Sequence, residues 1–189
     1  MNKFKISFNS PVILSFTIIC FLALILDKLT SGGTNILFFS VYHSSLLSPL
    51  TYIRFVGHIF GHADFNHFIG NIMLILVVGP LLEEKYGIKN ILSVIFITAI
   101  ITGIFNYVFF PNVRLMGASG VVFAFILLSS FTSFKEGSVP LTFVLVALLY
   151  IGEQVYQGIF INDNVSNLTH ILGGFVGAFA GYVMNKNKF

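Results

Sequence analysis

Two residues with the chemistry of a nucleophile and a base begin separate apolar segments of the chain. Ser119 follows "MGA" and precedes a long apolar run, and His170 lies near the start of another. A serine hydroxyl is a weak nucleophile until a base accepts its proton, and a neutral histidine suits that role. We therefore expect Ser119 and His170 to form a catalytic dyad.

A second pair of polar residues lies on one face of a further apolar segment. His67 and Asn71 are four positions apart in "HFIGN", so on a helix they point to the same side. When a serine attacks an amide, negative charge develops on the carbonyl oxygen, and a well-placed donor lowers the barrier by about 3 kcal/mol. His67, Asn71 and the backbone N–H of Ser119 are the candidate donors. Taken alone, His67 and Asn71 are explained as well by interhelical hydrogen bonds, worth about 0.6 to 2 kcal/mol.

No carboxylate is evident that would orient the histidine of this dyad. Glu153 has no spacing that ties it to His170, and Gln154 and Asn106 lie near the ends of apolar segments. We expect these side chains to bond to neighbouring helices or to reach the interface. The sequence therefore predicts a dyad without an orienting acid.

The composition predicts that the elements positioning these residues are membrane helices. Of the 189 residues, 56% are hydrophobic and 9% are charged, and the mean hydropathy is +0.93, far outside soluble averages. Stretches long enough, or nearly so, to cross a hydrocarbon core of about 30 Å are residues 11–26, 68–82, 88–110, 119–134, 139–160 and 168–184. We predict one all-α polytopic membrane domain over residues 1–189, a six-helix bundle with an outer interfacial loop at about residues 31–61. Short amphipathic helices are expected in that loop.

The basic residues predict the orientation of the six helices. Lys28, Arg54 and Arg114 fall on one side, and the other side carries Lys3, Lys5, Lys85, Lys89, Lys135, Lys186 and Lys188. The positive-inside rule then places both termini in the cytoplasm. A sequence pI near 9.0 is explained by lysines at helix ends that meet anionic lipid, so no nucleic-acid partner is predicted. The four polar candidates then share the outer half of the membrane, although they were not used to derive the topology.

The first apolar segment has an alternative interpretation as a signal peptide, because Lys3 and Lys5 precede it. No small-residue cleavage site is found before Asp27 and Lys28, which favours an uncleaved helix. The chain after it emerges on the outer side in either case.

A stripe of small residues lies beneath His170 on the predicted sixth helix. Its members fall within about 60° of His170 on the helical wheel, and they are Gly173, Gly174, Gly177 and Gly181. Small residues four apart let two membrane helices approach backbone to backbone, and Gly120 and Ala124 offer a matching surface on the fourth helix. Such packing would bring the Ser119 hydroxyl within hydrogen-bond reach of His170, and Gly117 would let the preceding loop fold tightly.

Together these motifs resemble the rhomboid intramembrane serine proteases. The matching segments are "GHADFNHFIGN", "GASG" and "THILGGFVGAFAG", in that order at the starts of the second, fourth and sixth helices. The resemblance implies a bacterial six-helix enzyme of the plasma membrane, without a cofactor, that cleaves single-pass membrane proteins near the outer side. It also implies that Ser119 is the nucleophile, that His170 is the general base, and that His67 and Asn71 stabilise the oxyanion.

The resemblance also implies supporting roles around the site. His62 and His58 align with histidines of helix two and of the loop before it, which hold polar structure and water near the site. Phe123 stands where many bacterial relatives have a tyrosine against the catalytic histidine, so ring stacking is retained and a phenol hydrogen bond is lost. Gly117, Gly120, Gly173 and Gly177 complete the supporting set.

Two other functions fit parts of the pattern. His58, His62 and His67 invite comparison with a zinc site, but no HExxH motif is present, no acidic ligand is placed beside them, and the single cysteine, Cys20, offers no thiolate pair. The second alternative is a catalytically inactive rhomboid-like binder of membrane proteins, or a small transporter, in which Ser119 and His170 only bridge two helices.

Overall fold

Helices make up the computed structural model, which describes residues 6–133, 138–160 and 167–186. Within these residues the α-helices are α1 (Pro11–Leu29), α2 (Gly33–Leu37), α3 (Pro49–Gly57), α4 (Phe65–Tyr86), α5 (Ile88–Phe109), α6 (Ser119–Ser130), α7 (Leu141–Phe160) and α8 (Asn167–Asn185). Short 3-10 turns follow α3 at His58–Phe60 and α6 at Phe131–Ser133. The all-α architecture predicted from the sequence is therefore confirmed.

Four of the described helices, α1, α4, α5 and α7, are long and apolar enough to cross a membrane by length and composition. The apolar helix α6 has 12 residues, and α8 has 19 residues with a polar first turn. The fourth predicted segment is shorter than expected, because its helix gives way to a 3-10 turn at Phe131, and Phe134 lies outside the described residues. Whether all six segments span the bilayer stays a prediction.

The first turn of α4 is fixed by an aspartate just before it. Asp64 is the N-cap, and its Oδ1 accepts a hydrogen bond of 2.8 Å from the backbone N–H of His67. Such a cap satisfies one of the amide donors that a helix start leaves without an acceptor. The helix therefore begins at Phe65, three residues earlier than the apolar stretch of the sequence suggests, and His67 lies in its first turn.

The amino end of α1 is held by a buried carboxylate at the far end of α4. Glu83 accepts hydrogen bonds from the backbone N–H groups of Val12 and Ile13, at 3.0 and 3.1 Å. A carboxylate is stabilised there because helix amino termini present free N–H groups and a positive dipole end. Ile13 and Cys20 of the same helix are fully buried in the bundle core. Helix α1 is thus an integral part of the packed bundle.

Helices α6 and α8 meet at backbone distance because two glycines of α8 lack a side chain. A Cβ atom added at Gly173 would lie 2.9 Å from the carbonyl carbon of Gly120, and one added at Gly177 would lie 2.6 Å from the Cα of Ala124. The stripe therefore packs on Gly120 and Ala124 as predicted, but the close approach does not require the residue at 120 to be glycine. A Cβ at Gly120 would face α5, where it makes ordinary contacts of 3.5 to 3.6 Å with threonine methyl groups.

The other two glycines of the stripe face different neighbours. A Cβ at Gly174 would lie 2.8 Å from Cε1 of Tyr150 on α7, and one at Gly181 would lie 2.9 Å from the Cβ of Phe131. The stripe is therefore shared among three neighbouring segments, and only its first and third members meet the backbone of α6.

Three chain segments end together at one end of the bundle. Asn185 of α8 donates to the hydroxyl of Tyr86 at 2.9 Å, and Lys85 donates to the carbonyl of Thr132 at 2.8 Å. Of the lysines predicted to face the cytoplasm, Lys3, Lys5, Lys135 and Lys188 lie outside the described residues. The sidedness of the chain, with both termini in the cytoplasm, stays a prediction.

The predicted outer loop contains α2, α3 and a 3-10 turn, held together around a buried arginine. Arg54 donates to the hydroxyls of Tyr42, Ser44 and Thr51 at 2.8 to 3.1 Å, and its guanidinium carbon lies 4.4 Å from the centre of the Tyr42 ring. The short helices expected in this loop are present. Its apolar side chains Leu47 and Tyr52 are exposed, as residues at a lipid interface would be.

The contact between α6 and α8 gives a test of the packing. We expect Gly177→Ala to lower the free energy of unfolding by about 1–3 kcal/mol, because a Cβ at this position overlaps the backbone of α6. Thermal unfolding of the purified protein in detergent measures the effect. Gly152→Ala on α7 is the control, since a Cβ there meets nothing within 4 Å. Equal stability of the two variants would contradict the close contact.

Candidate active site

The Ser119 hydroxyl and the His170 ring are within hydrogen-bond distance. Oγ of Ser119 lies 2.8 Å from Nε2 of His170. Ser119 is the first residue of α6 and His170 lies in the first turn of α8, so the backbone contact at Gly173 brings the two side chains together. The geometry is that of a nucleophile beside its base.

The other ring nitrogen of His170 meets a side chain for which the sequence argument gave no role in the site. Oε1 of Gln154 on α7 lies 2.8 Å from Nδ1 of His170, and Gln154 is buried. An amide oxygen only accepts hydrogen bonds, so this contact favours the tautomer that carries the ring proton on Nδ1 and leaves Nε2 to accept the proton of Ser119.

The position of Gln154 held a signal that the sequence argument did not use. It is a polar residue in an apolar helix, and α7 runs antiparallel to α8. Under the predicted topology, the depth argument that grouped His67, Asn71, Ser119 and His170 places Gln154 with them. Gln154 was not predicted as a partner of His170 because only carboxylates were considered for that role.

An aromatic ring packs beside the histidine. The centre of the Phe123 ring lies 4.8 Å from that of His170 at an interplanar angle of 46°, and 4.2 Å from that of Tyr150 on α7. Phe123 is one turn after Ser119, so α6 supplies both the hydroxyl and an apolar wall for the imidazole. The rings are tilted against each other, where the sequence argument expected stacking.

His67 and Asn71 lie with Ser119 and His170 around one cavity of about 450 Å³. The wall also includes the exposed side chain of Arg114. The Nδ2 of Asn71 is buried and has no hydrogen-bond partner within the described residues. The cavity is large enough for a few residues of an extended peptide, and His67 and Asn71 supply hydrogen-bond donors in its wall.

Gly117 shapes the loop that leads to Ser119. Its φ is +126°, a conformation that favours glycine, and its backbone N–H donates to the carbonyl of His58 at 2.9 Å. A Cβ at this position would lie 2.7 Å from Nε2 of His67. Two residues earlier, Leu115 and Val41 exchange backbone hydrogen bonds of 2.8 and 2.9 Å. Glycine at 117 is therefore required both by the backbone turn and by the His67 ring.

His58 and His62 are buried beside the site and do not line the cavity. Nε2 of His58 lies 3.3 Å from the hydroxyl of Thr102. The rings of His62 and His67 pack edge-on, with their centres 5.1 Å apart. The family resemblance placed His62 in the second helix, but His62 lies in the loop before α4, because Asp64 caps the helix after it. Both imidazoles are outside the long apolar helices, and burial lowers the pKa of each to about 4.

The histidines do not form a metal site with their neighbours. In the part of the chain that the structure describes, no three His, Cys, Asp or Glu side chains are grouped so that they could hold a metal ion. His58 and His62 contact a threonine, backbone carbonyls, the Phe68 ring and another imidazole.

Comparison with known protein families decides the classification. The family described as "Rhomboid domain" matches this chain over residues 49–187, which include the cavity and every helix from α3 to α8. The chain belongs to the rhomboid family. With its long apolar helices, this rhomboid is an integral multi-pass membrane protein.

Known relatives cover most of this rhomboid at low identity. It is 34% identical to "Rhomboid-related protein 1" of Caenorhabditis elegans over 71% of its own length and 40% of the relative's. It is 29% identical to "Rhomboid-related protein 2" of Mus musculus over 74% and 53% of the two lengths. "Rhomboid protease GlpG" of Yersinia pestis is 22% identical over 94% of this chain and 64% of that protein. The chain thus spans less than two thirds of the length of each of these relatives.

The buried histidines predict how stability depends on pH. The unfolded chain protonates His58 and His62 near pH 6.5, whereas burial delays protonation in the folded protein until about pH 4. The unfolded state therefore binds more protons between these values, so the free energy of unfolding falls as the pH drops from 6.5 to 4. We expect the thermal midpoint in detergent to fall by several degrees across this range.

Single substitutions identify the groups responsible. His58→Gln should flatten the pH dependence, because glutamine does not titrate, and the exposed His43→Gln provides the matched control. A slope that survives unchanged in both His58→Gln and His62→Gln would contradict the assignment.

Proposed function

We propose that this rhomboid is an active intramembrane serine endopeptidase that cleaves transmembrane segments of single-pass proteins near the predicted outer side of the membrane. The observation that carries the proposal is the 2.8 Å contact between Oγ of Ser119 and Nε2 of His170 at the wall of a cavity. Its placement in a bacterial plasma membrane stays a prediction.

In the proposed reaction, His170 acts first as base and then as acid. Nε2 takes the proton of Ser119 as Oγ attacks the carbonyl carbon of the scissile peptide, and a covalent tetrahedral intermediate forms. The C–N bond then breaks, His170 returns the proton to the leaving amine, and an acyl-enzyme remains. Water, deprotonated by His170, hydrolyses the ester and restores Ser119. None of these steps requires a cofactor.

The negative charge of the tetrahedral intermediate is stabilised by donors on two helices. Asn71 and His67, which carry candidate donors, line the same cavity as Ser119. The backbone N–H of Ser119 begins α6, where helix geometry supplies no intrahelical acceptor and the dipole favours negative charge. Donors that face the developing oxyanion contribute to rate because they strengthen as charge builds.

A substrate helix must reach this cavity from the lipid and unwind there. We propose entry between α4 and α7. Only 12% of the apolar stretch of α7 is buried, against 33–50% of the apolar stretches of α1, α4 and α5. A peptide bond inside a helix is hydrogen-bonded and shielded, so local unwinding has to precede attack. Substrates with Gly or Pro near the outer interface should therefore be cleaved fastest.

Removal of the nucleophile tests the proposal. Ser119→Ala should lose cleavage of a transmembrane substrate and labelling by a fluorophosphonate probe, since both need Oγ, while thermal stability stays close to wild type. Ser129→Ala is the matched control, because it removes a hydroxyl from the same helix that bonds only within it, to the carbonyl of Ile126. Cleavage that persists in Ser119→Ala would refute the assignment, and a wild type that neither cleaves nor labels would favour an inactive binder.

Removal of an oxyanion donor should slow the reaction without abolishing it. We expect Asn71→Ala to lower kcat by about 10²- to 10³-fold, the effect of deleting one such donor. Cleavage kinetics in proteoliposomes measure it. Asn66→Ala on the exposed face of the same helix is the control and should retain full activity. An unchanged kcat in Asn71→Ala would remove this residue from the proposed mechanism.

A further inference from the structure

Helices α7 and α8 pack antiparallel in a regular register that brings Gln154 to His170. Three contacts follow one another at intervals of about one turn along both helices: Tyr150 with Gly174, Gln154 with His170, and Gly158 with Asn167. Moving one turn forward along α7 therefore moves about one turn backward along α8. Tyr150 and Gln154 are buried although most of α7 is exposed. The buried stripe of α7 therefore faces the catalytic histidine.

The carboxamide of Gln154 completes a chain of hydrogen bonds that crosses three helices. Its Oε1 lies 2.8 Å from Nδ1 of His170, and Nε2 of the same ring lies 2.8 Å from Oγ of Ser119. The acceptor favours the proton on Nδ1 and restrains rotation of the ring about its bond to Cβ. Both effects favour the one state in which His170 can accept the proton of Ser119.

We propose that Gln154 is a positioning residue of the proteolytic reaction, which selects the tautomer and orientation of His170 through its side-chain oxygen. This inference rests on the proposed function, in which His170 is the base. Because the oxygen is carried by α7, activation of Ser119 depends on α7 being docked against α8. Beyond lining the route by which a substrate enters, α7 thus supplies part of the machinery that follows entry.

The first test compares variants that keep or remove the acceptor. Gln154→Met keeps the length of the side chain and loses the oxygen, and kcat should fall about 10- to 100-fold with KM unchanged, as when a buried N–H loses its acceptor. Gln154→Glu restores an oxygen at the same position and should recover most of the rate. Val155→Met, which places the same side chain on the neighbouring exposed position, should behave as wild type. Equal kcat in wild type and Gln154→Met would overturn the proposal.

A second test separates the hydrogen bond from mere packing of α7. A Cβ built on Gly158 lies 3.8 Å from the Cβ of Asn167, the usual separation across a disulfide. Gly158→Cys with Asn167→Cys should therefore hold α7 on α8 when oxidised. Fluorophosphonate labelling, which needs no substrate helix, should remain slow in Gln154→Met even with this disulfide closed. Recovery of the labelling rate on oxidation would show that Gln154 only holds α7 in place, and would overturn the proposal.

A spectroscopic readout distinguishes failure of this inference from failure of the proposed function. The ¹⁵N spectrum of histidine-labelled protein should show His170 protonated on Nδ1 in wild type, with the signal assigned by its loss in His170→Gln. In Gln154→Met the Nε2-protonated form should appear. The same tautomer in both proteins would contradict the role of Gln154 whether or not the protein is active, whereas a changed tautomer in an inactive wild type would contradict only the protease.

Discussion

The site depends on the absence of two side chains from α8. Gly173 and Gly177 allow the backbones of α6 and α8 to touch, and this contact brings the first turns of the two helices close together. Membrane helices gain little from the hydrophobic effect when they associate, since lipid is as apolar as leucine, so close van der Waals packing has to stabilise the pair. The same contact that stabilises the bundle therefore also brings the hydroxyl and the imidazole together.

A second constraint is the accommodation of polar groups in a chain that is mostly apolar. At one end, Glu83 accepts from two amides of α1, and in the outer loop Arg54 bonds to three hydroxyls and lies over a tyrosine ring. The carboxylate of Glu83 and two of the three guanidinium nitrogens of Arg54 make hydrogen bonds within the protein, as burial demands, while Nε of Arg54 has no partner among the described residues. Asn71 lines the cavity, and its buried Nδ2 is likewise without a partner in the described part of the chain. A donor left open in this way is what an anionic intermediate would use.

The family and the helical architecture could be inferred from the sequence because they depend on hydropathy and on short motifs at the starts of apolar segments. The pairing of Ser119 with His170 was predicted from chemistry and from the glycine stripe. The sequence did not show which of the glycines must lack a side chain for the two helices to touch. Helical wheels give the face on which a residue lies without the rotation of the partner helix, so Gly120 and Gly173 were indistinguishable. Gln154 was overlooked for a different reason. Only a carboxylate was considered as the partner of His170, whereas α7 supplies the neutral oxygen of an amide. The register of α7 against α8 that brings this oxygen to the ring is visible only in the packed helices.

The aspartate that caps α4 has an effect well beyond its own turn. Successive residues of a helix are rotated by about 100°, so a helical first turn places His67 on the same side of the axis as Asn71, four positions later. Asp64 is exposed and lies outside the cavity wall, yet it caps the turn that contains His67 and begins the helix that contains Asn71. An exposed carboxylate thus helps to order two polar residues of a cavity that it does not itself line.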